Sequence, residues 1–440
     1  MKLIFINRYF YPDHSATSQM LSDLAFALAA RDEEVVVITS RQLYESRSLP
    51  LPSVESINGV RVIRVWTTRF GRANLIGRAV DYLTFYLSAG VAVMLAASRG
   101  DIVIAKTDPP MLSVIAHPMC RLRGALLVNW LQDLFPEVAE AVGGRGGGSR
   151  LGRVLHRAFR ALRNWSLKGA AMNVAIGEGM AERIRLLGVA QARVCVIPNW
   201  ADGDLIRPLD RAGNVLSGQW GLEGAFVVGY SGNLGRVHDH ATIIDAMSCL
   251  EKPCATVGAA IPSREESRDG SAAERGIGDR PIVWLFVGGG TGFEALRREA
   301  EQRHLSSVVF KPYQPRSNLA ASLGLADVHL VSLRPELEGL VVPSKYYGIA
   351  AAGRPAIFIG AAEGEIGRAL ACSEAGLTVP QGDAAALAGA IMTLAKHPER
   401  RRHMGANARL AFERAFDKRR AVERWQTALR NVARGASPSG

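Results

Sequence analysis

Short apolar runs alternate with helix-like segments along most of this chain, and this alternation limits the folds open to it. Two examples are EVVVIT (34–39) and ALLVNW (125–130), which are almost continuously apolar. Such runs are typical of parallel strands that are buried on both faces of a sheet. Between the first two runs, SQMLSDLAFALAARD has apolar residues at helical spacing. The pattern therefore predicts βαβ units and a doubly wound α/β sheet.

The alternation ends near residue 200 and then starts again. In the first half, we predict strands at 2–7, 34–39, 60–66, 101–106, 125–130, 173–176 and 193–198. In the second half, we predict strands at 225–233, 281–290, 307–311, 327–333 and 356–360. A chain of 440 residues is also longer than one ordinary domain. We therefore expect two Rossmann-like domains that face a cleft, with functional residues just after the strands.

Turn-rich and polar stretches indicate the boundaries of the two predicted domains. The segment PNWADGDLIRPLD (198–210) is typical of a connector between domains at 1–200 and 203–415. The segment at about 417–435 has the pattern of an amphipathic helix, which we expect to pack back on the first domain. Polar or glycine-rich composition predicts flexible segments at 143–150 and 262–280 and a disordered tail at 436–440.

Composition limits the classes of binding partner and the cellular compartment that we expect. The net charge of +12 favours an anionic partner, such as a phosphorylated ligand, an acidic membrane surface or nucleic acid. Nucleic acid ranks last, because the basic residues are not interleaved with aromatic ones. Five scattered cysteines without a CxxC pair support neither a disulfide framework nor a zinc site. The N-terminal MKLIFINRYF lacks the features of a signal peptide, so we expect a reducing, cytoplasmic setting.

Glycine-rich turns follow two predicted strands of the second half. The first group is Ser231, Gly232, Asn233, Gly235 and Arg236, and the second is Gly288, Gly289 and Gly290. Glycines between a strand and a helix let the backbone approach a phosphate, which Arg236 could clamp. The alternatives are an ordinary turn for the first group and flexible closure of the cleft for the second.

A third candidate element of the second half is the predicted helix that begins in VPSK (342–345). Ser344, after Pro343, is a favourable N-cap residue, and Lys345 suits a phosphate at a helix N-terminus. Glu338 is a candidate to hold ribose or sugar hydroxyls, whereas we expect Glu336 to be a solvated surface residue.

Polar residues also follow three predicted strands of the first half. His14, Ser15 and Thr17 follow the first strand, Asp108 lies in a proline-rich turn after the fourth, and Asp133 follows the fifth. Any one of them could be a simple cap. Three polar strand ends in one domain favour a binding cleft.

Two segments bear on membranes. VDYLTFYLSAGVAVMLAA (80–97) is almost apolar but close to the lower limit of about 20 residues for a spanning helix. Because Asp81 and Gly90 lie within it, we expect a buried or interface-lying helix. SRLGRVLHRAFRALRNWSLKG (149–169) interleaves basic and apolar residues. It predicts an amphipathic helix that either lies on anionic lipid or presents a solvated basic face.

Together these motifs resemble a known family. INRYFYPDHSATSQML, TDPP, LQDLFPE, VIPNWAD, YSGNLG, VGGG, FKPYQP and VPSKYYGIAAAGRP span nearly the whole chain. They resemble family 4 of the GT-B glycosyltransferases, close to the colanic-acid and O-antigen type. The resemblance implies retaining transfer of a sugar from a UDP- or GDP-linked donor in the second domain. It also implies a lipid-linked saccharide acceptor in the first domain, in cell-surface polysaccharide biosynthesis.

The resemblance also implies roles for particular residues. The donor phosphates would meet the turn at Ser231–Gly235, together with Arg236 and Lys345. The family commonly carries a Glu-x7-Glu pair, and here Lys345 takes the second position, with Glu338 as the nearest substitute for the first. Asp133 would orient or deprotonate the acceptor. We expect no cofactor and no metal ion, because the donor site is already cationic and no His, Asp and Glu cluster has metal-ligand spacing.

Two other functions stay open at this point. One is a nucleotide-sugar epimerase on the same architecture, and the other is a catalytically inactive, membrane-associated protein that binds a nucleotide sugar. For the enzyme, we expect a peripheral position at the inner face of the plasma membrane, with contact through 149–169.

Overall fold

A computed structural model describes residues 1–43, 51–71, 75–143, 150–211, 213–251 and 280–435. Contacts divide the chain into two units. The first holds the residues up to Trp200, the segment Gly339–Val342 and the C-terminal helix from Lys418; the second holds Ala201–Glu338 and Pro343–Asp417. The flexible segments predicted at 143–150, 262–280 and 436–440 lie wholly or largely outside the described residues.

The first unit is built on an eight-stranded sheet. Its strands are β1 (Lys2–Ile6), β2 (Glu34–Ser40), β3 (Val54–Ile57), β4 (Val60–Val65), β5 (Ile102–Lys106), β6 (Leu126–Leu131), β7 (Met172–Ala175) and β8 (Val194–Val196). Their order is β3-β4-β2-β1-β5-β6-β7-β8, and every pair is parallel except β3 with β4. The helices are α1 (Ala16–Ala29), α2 (Leu75–Ala96), α3 (Leu112–Arg123), α4 (Glu137–Gly143), α5 (Arg150–Gly169) and α6 (Glu178–Leu186).

Strand β1 shows why the predicted strands are continuously apolar. Leu3 and Phe5 pack into the core on one face of the sheet. Ile4 and Ile6 pack into the core on the other face, together with residues of α2 and α3. Since successive side chains of a strand point to opposite faces, a strand covered on both sides needs an apolar residue at every position.

The second unit has a six-stranded, all-parallel sheet. Its strands are β9 (Phe226–Asn233), β10 (Ile282–Gly289), β11 (Val308–Lys311), β12 (Val328–Ser332), β13 (Ala356–Ile359) and β14 (Gly376–Val379), in the order β11-β10-β9-β12-β13-β14. Its helices are α7 (Val215–Gln219), α8 (Ala241–Glu251), α9 (Thr291–Gln302), α10 (Leu319–Gly324), α11 (Lys345–Ala351), α12 (Glu365–Ser373), α13 (Ala384–Lys396) and α14 (Pro398–Ala411). The prediction of two Rossmann-like α/β domains is thus confirmed.

The last helix, α15 (Lys418–Gly435), belongs to the first unit. Its buried face includes Trp425, whose ring lies 4.8 Å from that of Trp130 on β6. Trp130 also stacks on Trp200, at 5.7 Å between ring centroids. Such aromatic contacts add to the burial of apolar area in fastening the helix to the sheet.

Helix α2 meets the length and composition of a membrane-crossing helix from Ile76 to Ala96. However, Phe85, Ala89 and Val93 on one side of it are buried in the core of the first unit. The opposite side of the helix is exposed, as described below.

Candidate active site

The two glycine-rich turns of the second unit lie side by side. They end the neighbouring strands β9 and β10, in which Gly288 is paired with Gly232 and Gly289 with Asn233. Gly232 has φ = 114° and Gly288 has φ = 137°, a region that favours glycine. A Cβ atom on Gly288 would stand 2.3 Å from the carbonyl oxygen of Gly232. These glycines are therefore also required by the packing of the two turns, a reason that we did not anticipate from the sequence.

The Lys345 side chain lies over the first of these turns. A Cβ atom on Gly232 would be 3.1 Å from Cε of Lys345, and the ammonium lies 5.2 Å from the centre of the Tyr230 ring. The Lys345 Nζ donates to Nε2 of His238 at 2.8 Å. The other ring nitrogen of His238, Nδ1, lies 2.6 Å from the Ser332 carbonyl oxygen and donates to it. This second bond fixes the tautomer that lets Nε2 accept from the lysine.

The titration of both groups is shifted by their surroundings. Burial lowers the pKa of Lys345 to about 7. Burial and the neighbouring Lys345 cation lower the pKa of His238 to about 3. His238 is therefore neutral near pH 7 and serves as an acceptor, while Lys345 is close to its titration point. An anion beside Lys345 would favour its charged form.

The structure confirms a helix start at Lys345 but does not show the predicted side-chain cap. Ser344 occupies the N-cap position of α11, but its side chain makes no capping hydrogen bond, and Pro343 is buried. The helix has only seven residues. Because a single short helix offers little dipole, the Lys345 ammonium is the stronger source of positive charge at this point.

Glu338 has a structural partner. Its carboxylate accepts from the backbone N–H of Glu365 at 3.3 Å, at the start of α12. A Cβ atom on Gly364 would be 2.2 Å from Glu338 Oε1. This close packing explains the carboxylate as a helix-terminal acceptor. Glu336 is exposed, as we expected, and pairs with Arg334 at 2.5 Å.

The remaining donor candidates lie on the same two turns. Asn233 and Arg236 are exposed and Ser231 and Gly235 half-buried in the first turn, while Gly289 and Gly290 end the second. Gly290 has φ = 114° and lies against Asn233. The structure thus brings together the glycine turns and Lys345 in one unit.

In the first unit, Asp133 lies just beyond β6. Its backbone forms a bridge with Val341, and the next residue, Leu134, donates its N–H to the carbonyl of Leu340 at 3.0 Å. Burial, and next the carboxylate of Asp108, raise the pKa of Asp133 to about 6, against a hydrogen bond from Thr107. Its Oδ1 is buried and has no hydrogen-bond partner among the described residues. A half-buried carboxylate with a raised pKa and such an acceptor atom is suited to proton transfer.

Of the other acceptor candidates, Thr17 and Asp108 come together. Thr17 Oγ1 donates to Asp108 Oδ2 at 2.8 Å, which links the start of α1 to the end of β5. Ser15 is the N-cap residue of α1 without a side-chain capping bond. His14 is exposed, and its carbonyl accepts from the Gln19 side chain at 2.6 Å. Asp108, Thr17 and Asp133 thus form the core of a polar cluster at the carboxyl edge of the first sheet.

Sequence reasoning missed Lys106 in this cluster. It is buried at the end of β5, where its Nζ donates to the Thr17 carbonyl at 2.9 Å and lies 3.8 Å from the centre of the Trp130 ring. Burial lowers its pKa to about 7, opposed by the carboxylates of Asp108 and Asp23. The signal was present, since a lysine that ends a continuous apolar strand must be buried with it. His238 was also missed, because no sequence pattern linked it to Lys345.

Among the described residues, no group of three or more His, Cys, Asp or Glu side chains could hold a metal ion. Independence of metal ions stays a prediction.

Comparison with known proteins identifies the family. Residues 16–200 match the family model of the glycosyl transferase 4-like domain, and residues 217–411 match that of the glycosyl transferases group 1. The chain belongs to the family 4 glycosyltransferases. A protein of Pseudomonas aeruginosa named as glycosyltransferase WbjE is 25% identical to it over 331 residues, which are 73% of this chain and 74% of the relative. A protein of Escherichia coli K12 named as colanic acid biosynthesis glycosyl transferase WcaI is 24% identical over 382 residues, 84% of this chain and 85% of the relative.

Solved structures show that this glycosyltransferase has the GT-B fold. Sucrose-phosphate synthase from Thermosynechococcus elongatus is similar, with a TM-score of 0.73 and 18% identity, over 99% of this chain and all of the other. Anabaena HepE in complex with UDP is similar, with a TM-score of 0.67 and 14% identity, over 98% of this chain and all of the other. At these identities the likeness concerns the fold alone.

Proposed function

We propose that this glycosyltransferase moves a sugar, with retention at the anomeric carbon, from a UDP- or GDP-linked donor to a lipid-linked saccharide in polysaccharide biosynthesis. The observation that carries the proposal is the Lys345 ammonium, which is held by His238 over the glycine turn at Gly232. The biosynthetic role is supported by WcaI, which is named for colanic acid biosynthesis, and the nucleotide by HepE, which was solved with UDP.

The donor half of the reaction needs a cation at the departing diphosphate. As the glycosidic bond breaks, negative charge builds on the oxygen that bridged the sugar and the phosphate. A charge that is already oriented stabilises this oxygen without reorganisation during the reaction. Lys345 fits this task because His238 holds its ammonium from one side. The exposed Arg236 would contact the outer phosphate.

The acceptor half needs a base or an orienting acceptor for the attacking hydroxyl. Asp133 supplies a half-buried carboxylate whose Oδ1 atom accepts no hydrogen bond from the part of the chain that the structure describes. Attack on the same face from which the diphosphate leaves would give retention without a protein nucleophile. The packing of Glu338 against α12 agrees with this route, because a retaining double displacement would need a free carboxylate beside the sugar.

We further propose that the enzyme is peripheral to the cytoplasmic face of the plasma membrane, with α5 lying on anionic lipid. This helix exposes the apolar residues Val154, Leu155, Phe159, Leu162 and Trp165. It carries six basic residues and no acidic one. Apolar side chains flanked by cations suit the boundary between acyl chains and acidic headgroups.

The two other functions are less well supported. The family models and the named relatives favour a transferase over an epimerase or an inactive nucleotide-sugar-binding protein. Release of nucleoside diphosphate that depends on the acceptor would exclude the epimerase.

We expect one class of nucleotide sugar to raise the melting temperature of the protein. Ligand at about 100 times its Kd stabilises the folded state by about 2.7 kcal/mol, if it does not bind the unfolded chain. Differential scanning fluorimetry with UDP- and GDP-linked sugars measures this, and the free nucleosides uridine and guanosine are the control without a diphosphate. If no nucleoside diphosphate or nucleotide sugar shifted the melting temperature, the donor assignment would fail.

We expect His238→Ala to lower kcat/KM about tenfold, since Lys345 would lose the acceptor that orients it. His238→Gln should recover part of the loss, because its amide oxygen can accept from Lys345. Steady-state kinetics, with circular dichroism to verify folding, separates this positioning role from a merely structural one. Equal losses in the two variants would argue against it.

A further inference from the structure

The outer side of α2 carries an aliphatic stripe with no described partner. Between residues 80 and 96, every exposed side chain of this helix is aliphatic. These side chains recur at every fourth position and are 56 to 81% exposed: Leu83, Leu87, Val91 and Leu95. A solvated helix normally places polar residues on this face. A contiguous apolar surface of this kind marks an interaction site.

The inner side of the same helix is fixed in the fold. Phe85, Ala89 and Val93 are fully or almost fully buried against the sheet. Asp81, the single acidic residue of α2, is also buried, and it faces Arg8 at 3.5 Å. Crossing a bilayer would require all these groups to leave the core. The helix can therefore meet lipid only with its outer side, while it lies along the surface.

Asp81 also fixes the backbone of a segment that carries an exposed aromatic side chain near the start of α2. Its carboxylate accepts from the backbone N–H groups of Phe70 and Gly71, both at 3.0 Å, and from the Thr68 hydroxyl at 2.6 Å. The segment fixed in this way exposes Phe70 by 64%, and the nearby Trp66 is exposed by 63%. Tryptophan and other aromatic rings are favoured at the level of lipid headgroups.

The charge around the stripe decides between lipid and a second copy of the chain. Helices α2, α3 and α5 lie in succession, since α3 packs against both others. Apart from the buried Asp81, the charged residues of these helices are all basic. Arg160 and the buried Arg163 pair with Glu137 and Glu140 of α4. The other basic residues with described side chains are Arg78, Arg121, Arg123, Arg153, Arg157 and Lys168. A symmetric dimer through this face would bring like charges together. An anionic bilayer would be complementary to it.

We propose that the aliphatic stripe of α2 inserts into the acyl boundary of an anionic membrane, with Trp66 and Phe70 at the headgroup level. The inference deepens the membrane contact in the proposed function and rests on it for the choice of a biological membrane. The proposal gives α5 and α2 different roles in membrane binding. The basic face of α5 attracts the protein to acidic headgroups, and the stripe supplies an apolar attachment that salt does not screen.

The test compares two variants that carry four substitutions each. The stripe variant is Leu83→Ser, Leu87→Ser, Val91→Ser and Leu95→Ser. The matched control changes three leucines and one valine that are exposed elsewhere: Leu186→Ser, Leu209→Ser, Leu410→Ser and Val215→Ser. Vesicle sedimentation with phosphatidylcholine and phosphatidylglycerol is measured at low and at high salt, and thermal unfolding verifies that each variant folds.

At high salt, where electrostatic attraction is screened, we expect the stripe variant to partition at least about tenfold more weakly than the wild type. The control should bind as the wild type does. Equal binding of the stripe variant and the wild type would overturn the proposal. A wild-type dimer that dissociates in the stripe variant, with vesicle binding unchanged, would also overturn it and assign the stripe to a second copy. The vesicle assay involves no sugar. If the protein bound vesicles as expected but transferred no sugar, the proposed function would fail and the membrane proposal would stand.

Discussion

Replacing Lys345 with methionine is expected to lower kcat/KM for sugar transfer about 100- to 1000-fold, the usual loss when one preorganised stabilising group is removed from a developing charge. Methionine keeps much of the apolar stem that lies over Gly232 and removes the ammonium. The variant should therefore fold normally but bind and cleave the donor poorly. Steady-state kinetics with a saturating acceptor measures the loss.

Lys311→Met is the matched control for this substitution. Lys311 lies in the same unit, and its ammonium also faces an aromatic ring, 5.4 Å from the centre of Trp220. We expect it to lower kcat/KM less than about threefold, since its ammonium lies beside Trp220 and takes no part in the pair of Lys345 with His238. Comparable losses in the two variants would show that a general effect of charge, rather than the site around His238, explains the result.

The protonation of Lys345 adds a pH dependence. The burial that lowers its pKa to about 7 means that the free enzyme loses the cation as the pH rises through this value. We therefore expect kcat/KM to fall on the alkaline side of about pH 7 in the wild type. This alkaline limb should be absent from the small residual activity of Lys345→Met.

Asp133→Asn is expected to lower kcat about 100- to 10,000-fold, as the loss of a general base commonly does. Asparagine has nearly the same shape but cannot take a proton from the acceptor hydroxyl. Burial and the Asp108 carboxylate raise the pKa of Asp133 to about 6. The wild-type rate should therefore rise with pH through about 6, as the carboxylate ionises, and the variant should lack this acid limb.

Asp101→Asn is the control for that substitution. Asp101 is buried in the first unit and lies just before β5, at the opposite end of the strands from Asp133. Its side chain accepts from the backbone N–H groups of Lys2 and Ser98, both at 2.9 Å, and an asparagine oxygen can still accept one such bond. We expect near-normal kcat with some loss of stability. An Asp133→Asn enzyme that kept both its rate and its acid limb would remove Asp133 from the mechanism.

The fold could be predicted because its strands are buried on both faces. Every predicted strand is present within a few residues of its predicted bounds, as in β1 and β9. Two strands were missed at the sheet edges, where burial on both faces does not apply. One is β3, although the Asn58-Gly59 pair that joins it to β4 is a hairpin signal and both residues have positive φ. The other is β14, whose four residues are mostly half-buried.

The candidate site could be predicted only in part. Position after a strand was enough to single out Asp133, because parallel strands direct their carboxyl ends to one edge. Lys345 was singled out by its place at a predicted helix start. The pairing of Lys345 with His238 could not be predicted, since 107 residues separate them in the chain. The packing of Glu338 against α12 and the contact between Gly232 and Gly288 likewise depend on tertiary neighbours. Residue type and spacing carry no information on such contacts.

The central claim is transfer of sugar from a nucleotide donor to a lipid-linked acceptor by means of Lys345 and Asp133. The most direct measurement follows radiolabelled sugar from UDP- and GDP-linked donors into a polyprenyl-diphosphate saccharide, together with the release of nucleoside diphosphate. The proposed function predicts that labelled lipid and nucleoside diphosphate form in equal amounts, only with acceptor present, and that Lys345→Met and Asp133→Asn abolish most of both. The proposed function would be contradicted if nucleoside diphosphate were released equally with and without acceptor, or if labelling were unchanged in both variants.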